Sequence, residues 1–407
     1  MNFKTSENLT VCIDARLVDG LAGGMQQVVI GLANGLSNLP YSHDKFLFLC
    51  STGHETWLKP YIGGNCKLLT ARLPIGQKIE KIFNAFPITV TLFRKMMKFS
   101  GRRKFALPIS DGTVEAAGVH VMHFTLPSAF ITQVPSIYHI HDLQHLHYPN
   151  YFPLYMQSNR EHKYREFCNQ AQIATTSSRW MGRQLIQYYN LPDSKVKAVP
   201  LAPPADAYPI PSEDDLIKTM EKYFLPESFL LFPAQTWPHK NHLNLLKALD
   251  LLRNNHNMHP TVVCTGRKNS YYSTIHKMSK ELSMLSQIIF TGYIPSHDLH
   301  CLYRRCRFLI FPSKYEGWGL PVTEAMRLGV PVACSDIPVL KEQAGNAAVL
   351  FNPEDPLEIA NSIRQLWTNS SLRKTMAKKG IKTASRFNWE KTARTYLQIY
   401  HQIANRE

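Results

Sequence analysis

Residues 311–336 read FPSKYEGWGLPVTEAMRLGVPVACSD. The apolar run from Phe308 to Phe311 has the length and composition of a short buried strand. It leads into a glycine-bearing turn that holds an acid, Glu316, and opens directly onto a helix. Pro321 is expected as the first helical residue, because its missing N–H has no partner there anyway. A second acid, Glu324, stands eight residues after the first. Gly329 should end the helix, and Pro331 to Ser335 should form the next strand. Free N–H groups and the positive end of the helix dipole would then face the turn, an arrangement that captures phosphate. Gly317 and Gly319 let a ligand approach the backbone closely.

Outward from this unit, strand and helix patterns alternate along nearly the whole chain, which predicts parallel sheets with helices on both faces. On the N-terminal side, strands are expected at 10–16, 46–50, 119–124, 136–141, 173–177 and 197–200. Helices are expected at 25–36, 155–169 and 178–189. The stretch VPLAPPADAYPIPSED (199–214) carries five prolines. It sustains neither a helix nor a central strand and reads as an interdomain linker. Beyond it the pattern restarts, with strands at 229–233, 261–265, 288–291 and 348–351 and helices at 241–253, 271–286 and 356–367. The fold class is therefore α/β, with two Rossmann-like, doubly wound parallel-sheet domains facing a cleft. One comprises residues 1–203 and the other 204–387. The carboxyl ends of the strands lining that cleft are where an active site belongs.

Composition narrows the function. The chain has 407 residues, 44% of them hydrophobic and 19% charged, too long for one compact core. No apolar run reaches the ~20 residues that cross a bilayer, and the N-terminus lacks the apolar core of a secretory signal. Eight scattered cysteines without a C-x-x-C pair are expected as free buried thiols in a reducing cytoplasm. The net charge of +16 is concentrated in residues 78–104, where eight Lys and Arg face one acid, Glu80. Apolar stretches flank those charges, so the segment reads as a helix lying on an anionic membrane surface or as a solvated basic face. No recognition motif for nucleic acid is present, and nucleic acid is not expected as a partner.

The pattern E-G-[aromatic]-G-L-P-x-x-E-A-M-x-x-G-x-P-V around Glu316 and Glu324 resembles the retaining nucleotide-sugar glycosyltransferases of family 4. These have the GT-B fold, and the likeness is strongest in the C-terminal half. In that family the last helix crosses back onto the N-terminal domain, a role that FNWEKTARTYLQIY (387–400) fits, so 388–407 is expected to pack there.

The resemblance also implies roles. Breaking a sugar–diphosphate bond requires stabilising the charge that develops on the leaving group, which without a metal falls to cations and helix-terminal N–H groups. Lys240, in PAQTWPHKNH, matches the family lysine that contacts the diphosphate. An arginine is usual five residues earlier. Gln235 stands there instead, leaving the site one charge poorer, with Arg267 as the compensating cation. Glu316 is implied beside the transferred sugar, with the amides of Trp318, Gly319 and Leu320 on the sugar and phosphate. Glu324 is implied on the ribose hydroxyls, and Tyr293 and Ile294 hold the base through the main chain. Gly23 and Gly24, which lack the dinucleotide-binding spacing, line the acceptor side.

Four histidines lie in YHIHDLQHLHYP: His139, His141, His145 and His147. Asp142 follows His141 directly, so the H-x-H-x-D-H spacing of metal hydrolases fails, and Asp142 is expected to orient the turn. Strand-end geometry places His141 in the cleft, where the family's histidine touches the donor sugar. The catalytic set expected is Glu316, His141 and Lys240, with no metal and no cofactor beyond the donor substrate. The activity implied is transfer of a hexose, mannose foremost, from GDP-mannose or a UDP-hexose to a glycan or lipid-linked acceptor. Retention is implied, in surface polysaccharide or lipopolysaccharide synthesis, in the cytoplasm or peripherally on its membrane face. A GT-B sugar-phosphate synthase or phosphorylase, and a non-catalytic nucleotide-sugar-binding protein, are the alternatives.

Overall fold

The computed structural model of the protein describes residues 8–20, 23–40, 42–71, 106–203 and 207–404. Thirteen strands among these residues form two sheets. The first contains β1 (Thr10–Asp14), β2 (Lys45–Ser51), β3 (Cys66–Ala71), β4 (Val121–Phe124), β5 (Ser136–Ile140), β6 (Ile173–Thr176) and β7 (Val196–Ala198). The second contains β8 (Leu230–Pro233), β9 (Val262–Thr265), β10 (Ile288–Gly292), β11 (Phe308–Phe311), β12 (Val332–Ser335) and β13 (Val349–Phe351). Their spatial orders are β3-β2-β1-β4-β5-β6-β7 and β10-β9-β8-β11-β12-β13, and neighbouring strands pair in parallel throughout. Winding therefore reverses between β1 and β4 in one sheet and between β8 and β11 in the other. Such a reversal opens a crevice at the carboxyl ends of the strands.

The central strands are continuous apolar runs because helices cover both faces. FLIF of β11 and VMHF of β4 are buried at every position. Two separate apolar clusters cover the two faces of the first sheet. One of them includes Trp389, Tyr396, Ile399, Tyr400 and Ile403 of the last helix, Trp389–Ala404. That helix has crossed back from the second domain onto the first, as expected. Its crossing with the Gly24–Ser37 helix is close enough that a Cβ at Gly31 would overlap the Trp389 ring. The two buried tyrosine hydroxyls of this last helix are satisfied: Tyr400 bonds His123 Nδ1 at 2.8 Å and Tyr396 bonds His139 Nδ1 at 3.1 Å.

Several elements differ from the sequence reading. The central helix begins at Leu320, with Gly319 as N-cap and Pro321 in its first turn. The strand expected at 197–200 occupies 196–198. The helix expected over 271–286 ends at Glu281, and Ser283 adopts φ +54°, which no helix continues through. Strand β3 and the helices Glu213–Lys222, Ser296–Arg305, Pro338–Ala344 and Ser370–Ala384 were not anticipated. The first of these starts inside the proline-rich stretch, where Ser212 and Asp215 form a capping box that overrides the preceding prolines.

All eight cysteines are free, and all but Cys306 are fully buried. Burial pushes the Cys66 thiol up to about 11 and Cys50 to about 12, which keeps them inert. Among the described residues, no helix is long and apolar enough to cross a membrane. The basic segment 78–104 lies outside the described residues.

Candidate active site

The loops after β8 and β11, on either side of the second sheet's switch point, carry the two charged residues of the site. Lys240 Nζ lies 2.6 Å from Glu316 Oε1, and both side chains are largely buried, at 17% and 11% exposed. The pair is held from behind. Asn241, in the left-handed region at φ +66°, donates through Nδ2 to the carbonyls of Pro312 and Pro353 at 3.0 and 2.7 Å. The Lys314 N–H donates to the His239 carbonyl at 2.8 Å. The bonds to Pro312 and from Lys314 staple the two loops together beside the ion pair, and the Pro353 bond ties them to the loop after β13. The Lys240 ammonium also sits 5.3 Å from the centroid of the Phe311 ring.

Immediately after Glu316 the chain turns into the Leu320–Arg327 helix, whose first turn has no side-chain cap. Its orphan N–H groups and the positive end of its dipole are of the kind that can receive an anion. Gln343, from the Pro338–Ala344 helix, fixes this turn by donating to the Trp318 carbonyl at 3.3 Å. The Trp318 indole points the other way and donates to the Leu201 carbonyl at 3.1 Å. Its ring therefore ties the two domains together, and only its backbone belongs to the turn.

Glu324 stands partly buried in the Leu320–Arg327 helix, with the Tyr303 hydroxyl donating to its Oε2 at 2.8 Å. Burial raises its pKa to about 7, and the Tyr303 hydrogen bond opposes that rise. A carboxylate so close to neutrality is poised to gain from any further hydroxyl donor.

The first domain supplies the opposite wall. His141 follows β5, and its carbonyl packs so closely on Gly317 that a Cβ there would overlap it. His141 Nε2 bonds the Thr125 carbonyl at 2.6 Å. A carbonyl only accepts, so Nε2 carries the proton. Burial lowers the ring's pKa, outweighing the Thr125 bond and the Asp142 charge. The neutral ring thus keeps Nδ1 as an acceptor. Asp142 orients the turn, accepting the Gln144 N–H at 3.1 Å.

The other three histidines go elsewhere. His139 bonds Thr175, Ser177 and Tyr396, and His145 lies 3.4 Å from Glu161. His147 packs among Trp180, Tyr188 and Tyr315. Among the described residues, no group of three or more His, Cys, Asp or Glu is arranged to hold a metal ion.

The glycine loop after β1 meets the second domain across the cleft. Gly24 faces Leu320 Cδ1, Gly23 faces the Gln235 amide, and Gly20 faces the Tyr293 ring. Ile294 is buried in the second domain's core. Arg267 is exposed past β9, and its guanidinium makes no hydrogen bond or ion pair among the described residues. The structure thus brings Lys240, Glu316, the helix start, Glu324, His141, Gln235, Gly23 and Gly24 to one cleft, and leaves Arg267 at its edge. Sequence reasoning missed Asn241, Tyr303, Gln343 and Thr125. Only Asn241 carried a local signal, as an asparagine between a lysine and a helix start.

Residues 217–383 match the family model described as glycosyl transferases group 1. The chain is 28% identical over 282 residues to the O-antigen chain mannosyltransferase B of Escherichia coli, covering 69% of this chain and 73% of that protein. It is 28% identical over 258 residues to the serotype-specific mannosyltransferase WbdA of Escherichia coli, covering 63% of this chain and 31% of that larger protein. The solved structure of Anabaena Alr3699/HepE in complex with UDP and glucose superposes with a TM-score of 0.70 at 17% identity, covering 97% of this chain and 100% of that one. At that identity the likeness concerns the fold alone.

Proposed function

We propose that this chain, a glycosyltransferase of GT-B fold, moves a hexose from a nucleoside-diphosphate sugar to a hydroxyl of a glycan or lipid-linked acceptor with retention at the anomeric carbon. Mannose is the first candidate sugar, because the E. coli relatives at 28% identity are mannosyltransferases. O-antigen or related surface polysaccharide synthesis is the corresponding setting, on the cytoplasmic side, where nucleotide sugars are available. The basic segment 78–104 is the proposed contact with an anionic membrane.

One observation carries the reading. A stapled Lys240–Glu316 pair lies at the uncapped start of a helix, with a neutral histidine across the cleft. The donor's diphosphate lies against Lys240 and the N–H groups of Trp318, Gly319 and Leu320. As the bond from C1 to the phosphate oxygen breaks, charge grows on the phosphate and these fixed donors stabilise it without reorganising. Glu316 accepts from the sugar hydroxyls and offsets positive charge at C1. His141 Nδ1 accepts from a further sugar hydroxyl. The ribose hydroxyls donate to Glu324. The acceptor oxygen bonds to C1 from the face the phosphate leaves, and its proton passes to a phosphate oxygen. The reading requires no metal and predicts turnover indifferent to chelator.

A panel of GDP- and UDP-sugars, offered with and without a lipid-linked glycan acceptor, tests the assignment. Transfer from GDP-mannose with an α-configured product is expected. Turnover only with orthophosphate or a sugar phosphate as co-substrate would favour a synthase or phosphorylase instead. An inverted product overturns retention. For the membrane contact, equal liposome flotation with and without anionic lipid overturns the role given to 78–104.

A further inference from the structure

The Trp318 indole, which ties the two domains together, also walls a cavity of about 370 Å³ at their junction. The Phe387 ring meets it edge-on, with centroids 5.3 Å apart. Around this apolar wall stand three cations and one acid: Arg179 of the first domain, Arg386 of the second, Lys391 of the crossing helix, and Glu342. The acid is already engaged. Glu342 accepts the N–H groups of Arg179 and Trp180 at 2.9 and 3.1 Å and lies 3.5 Å from the Arg179 guanidinium. Arg386 gives Nε and Nη2 to the Thr383 and Gln343 carbonyls at 3.1 and 3.3 Å, neutral partners that leave its charge uncompensated. The Lys391 ammonium has no carboxylate partner among the described residues. Exposed cations are ordinarily dispersed and solvated. These three come from separate stretches of chain and converge on one hollow, where apolar walls concentrate their field.

We propose that this cavity is a second ligand site, which takes a small phosphate monoester of sugar-phosphate size and, by bridging Arg179 to Arg386 and Lys391, favours the closed arrangement of the domains. A phosphate monoester carries nearly two negative charges at neutral pH. That matches the surplus of cations over acid, and the guanidinium forks recognise its oxygens in pairs. The wall of Trp318 and Phe387 suits the apolar face of a sugar ring. Because the Trp318 backbone belongs to the turn after Glu316, an occupant against its indole also steadies that turn. The site is separate from the donor cleft, since Lys240, Glu316 and His141 do not line it.

Calorimetry on the whole chain with mannose 6-phosphate, and with mannose as the uncharged control, tests this. Binding of the ester and not of mannose is expected. Arg179→Gln, Arg386→Gln and Lys391→Gln should each weaken the ester by at least about threefold, the lower end for a hydrogen bond to a charged group once solvent screening is allowed for. All three side chains are exposed, so the variants should keep the wild-type Tm. Lys277→Gln removes an equally exposed cation at the opposite edge of the second sheet and should bind as the wild type does. Equal weakening there would reduce the site to diffuse charge attraction and overturn it. Unchanged affinity in all three junction variants overturns it outright, and so does capture by phosphatidic acid vesicles without binding of the soluble ester. Saturating ester should also shrink the radius of gyration seen by small-angle scattering, and a radius indifferent to the ester overturns the bridging. No nucleotide enters these measurements, so their failure leaves the donor reading untouched.

Discussion

Lys240 Nζ and Glu316 Oε1 lie 2.6 Å apart although they belong to loops that leave different strands, β8 and β11, and are 76 residues apart in sequence. The two strands are neighbours at the switch point of the second sheet. Winding in opposite directions from that point leaves the crevice open, and the Asn241 and His239 contacts close the loops over it. A cation and a carboxylate that would otherwise be solvated are held together with little exposure. Each becomes costly to leave unpaired.

Removing either partner should separate binding from chemistry. Glu316→Gln keeps the shape and a hydrogen-bond acceptor but loses the charge that the proposed reaction sets against C1. Transfer should fall below detection while nucleoside-diphosphate binding stays measurable by calorimetry. Lys240→Met removes the proposed leaving-group cation and should lower kcat by roughly a hundredfold to a thousandfold, the range for losing a fixed electrostatic donor. Unchanged turnover in Glu316→Gln would remove it from the catalytic set.

The Glu324 carboxyl sets a pH dependence. Its pKa rises from 4.5 to about 7 because burial disfavours the charged form. The stability it contributes is fully present below 4.5 and is lost as pH rises through about 7, since the folded state must then hold a buried charge. At roughly 1.4 kcal/mol per pKa unit, the cost above pH 8 is up to about 3 kcal/mol. Glu324→Gln should therefore raise Tm at pH 8 and leave it little changed at pH 4.5. Nucleotide affinity runs the opposite way. Ribose hydroxyls favour the ionised form, so binding should tighten as pH rises to about 7, with proton release detectable as a buffer-dependent calorimetric enthalpy. In Glu324→Gln, binding should be weak and flat with pH. A wild-type affinity that is also flat between pH 5.5 and 8 would exclude Glu324 from the nucleotide site.

The fold and half of the site were legible for local reasons. Strand β11, the turn and the next helix are contiguous, so residues 311–336 contain both the apolar run and the breaker residues that define them. Alternation of strands and helices, a property of the whole chain, predicted the parallel sheets, whereas the strand orders that set the two switch points came only with the structure. What escaped was decided by distant partners. Tyr303 lies in a helix of polar appearance, and only the packing of Ser296–Arg305 brings its hydroxyl to Glu324. Gln343 and Thr125 act through single hydrogen bonds to the Trp318 and His141 turns, and neither has a local pattern. The histidine cluster was divisible from sequence only in part. The failed metal spacing was visible, whereas the role of His139 as a seat for Tyr396 depends on a helix 257 residues away.

Gly317 is one of the points where the two domains touch, because the His141 carbonyl occupies the space a side chain would need. Gly317→Ala must displace either the turn beside Glu316 or the first domain. A displacement of about 1 Å at a reacting centre costs on the order of a hundredfold in rate. Transfer should fall by that order, while affinity for the free nucleotide, which the proposal places on the second domain, should change by less than about threefold. A variant with wild-type kcat/KM would show that the contact is dispensable.

A further interdomain contact bears on how firmly the cleft stays closed. Glu342, on the Pro338–Ala344 helix of the second domain, accepts the N–H groups of Arg179 and Trp180 at 2.9 and 3.1 Å. These are the first residues of the Arg179–Tyr189 helix in the first domain, where Ser178 already caps the Met181 N–H. The carboxylate thus caps a helix start across the domain boundary and meets its dipole with the favourable sign. A cap of this kind contributes about 1–2 kcal/mol, and here that energy exists only while the domains are together. Glu342→Ala should move the population towards an open arrangement by about fivefold to thirtyfold. Small-angle scattering should detect the larger radius, and kcat/KM should fall by a similar factor without loss of nucleotide affinity. Glu342→Gln keeps one acceptor oxygen and loses the charge, so it should lie between the two. Scattering and kinetics that both match the wild type in Glu342→Ala would show that the other interdomain contacts hold the closed state without Glu342.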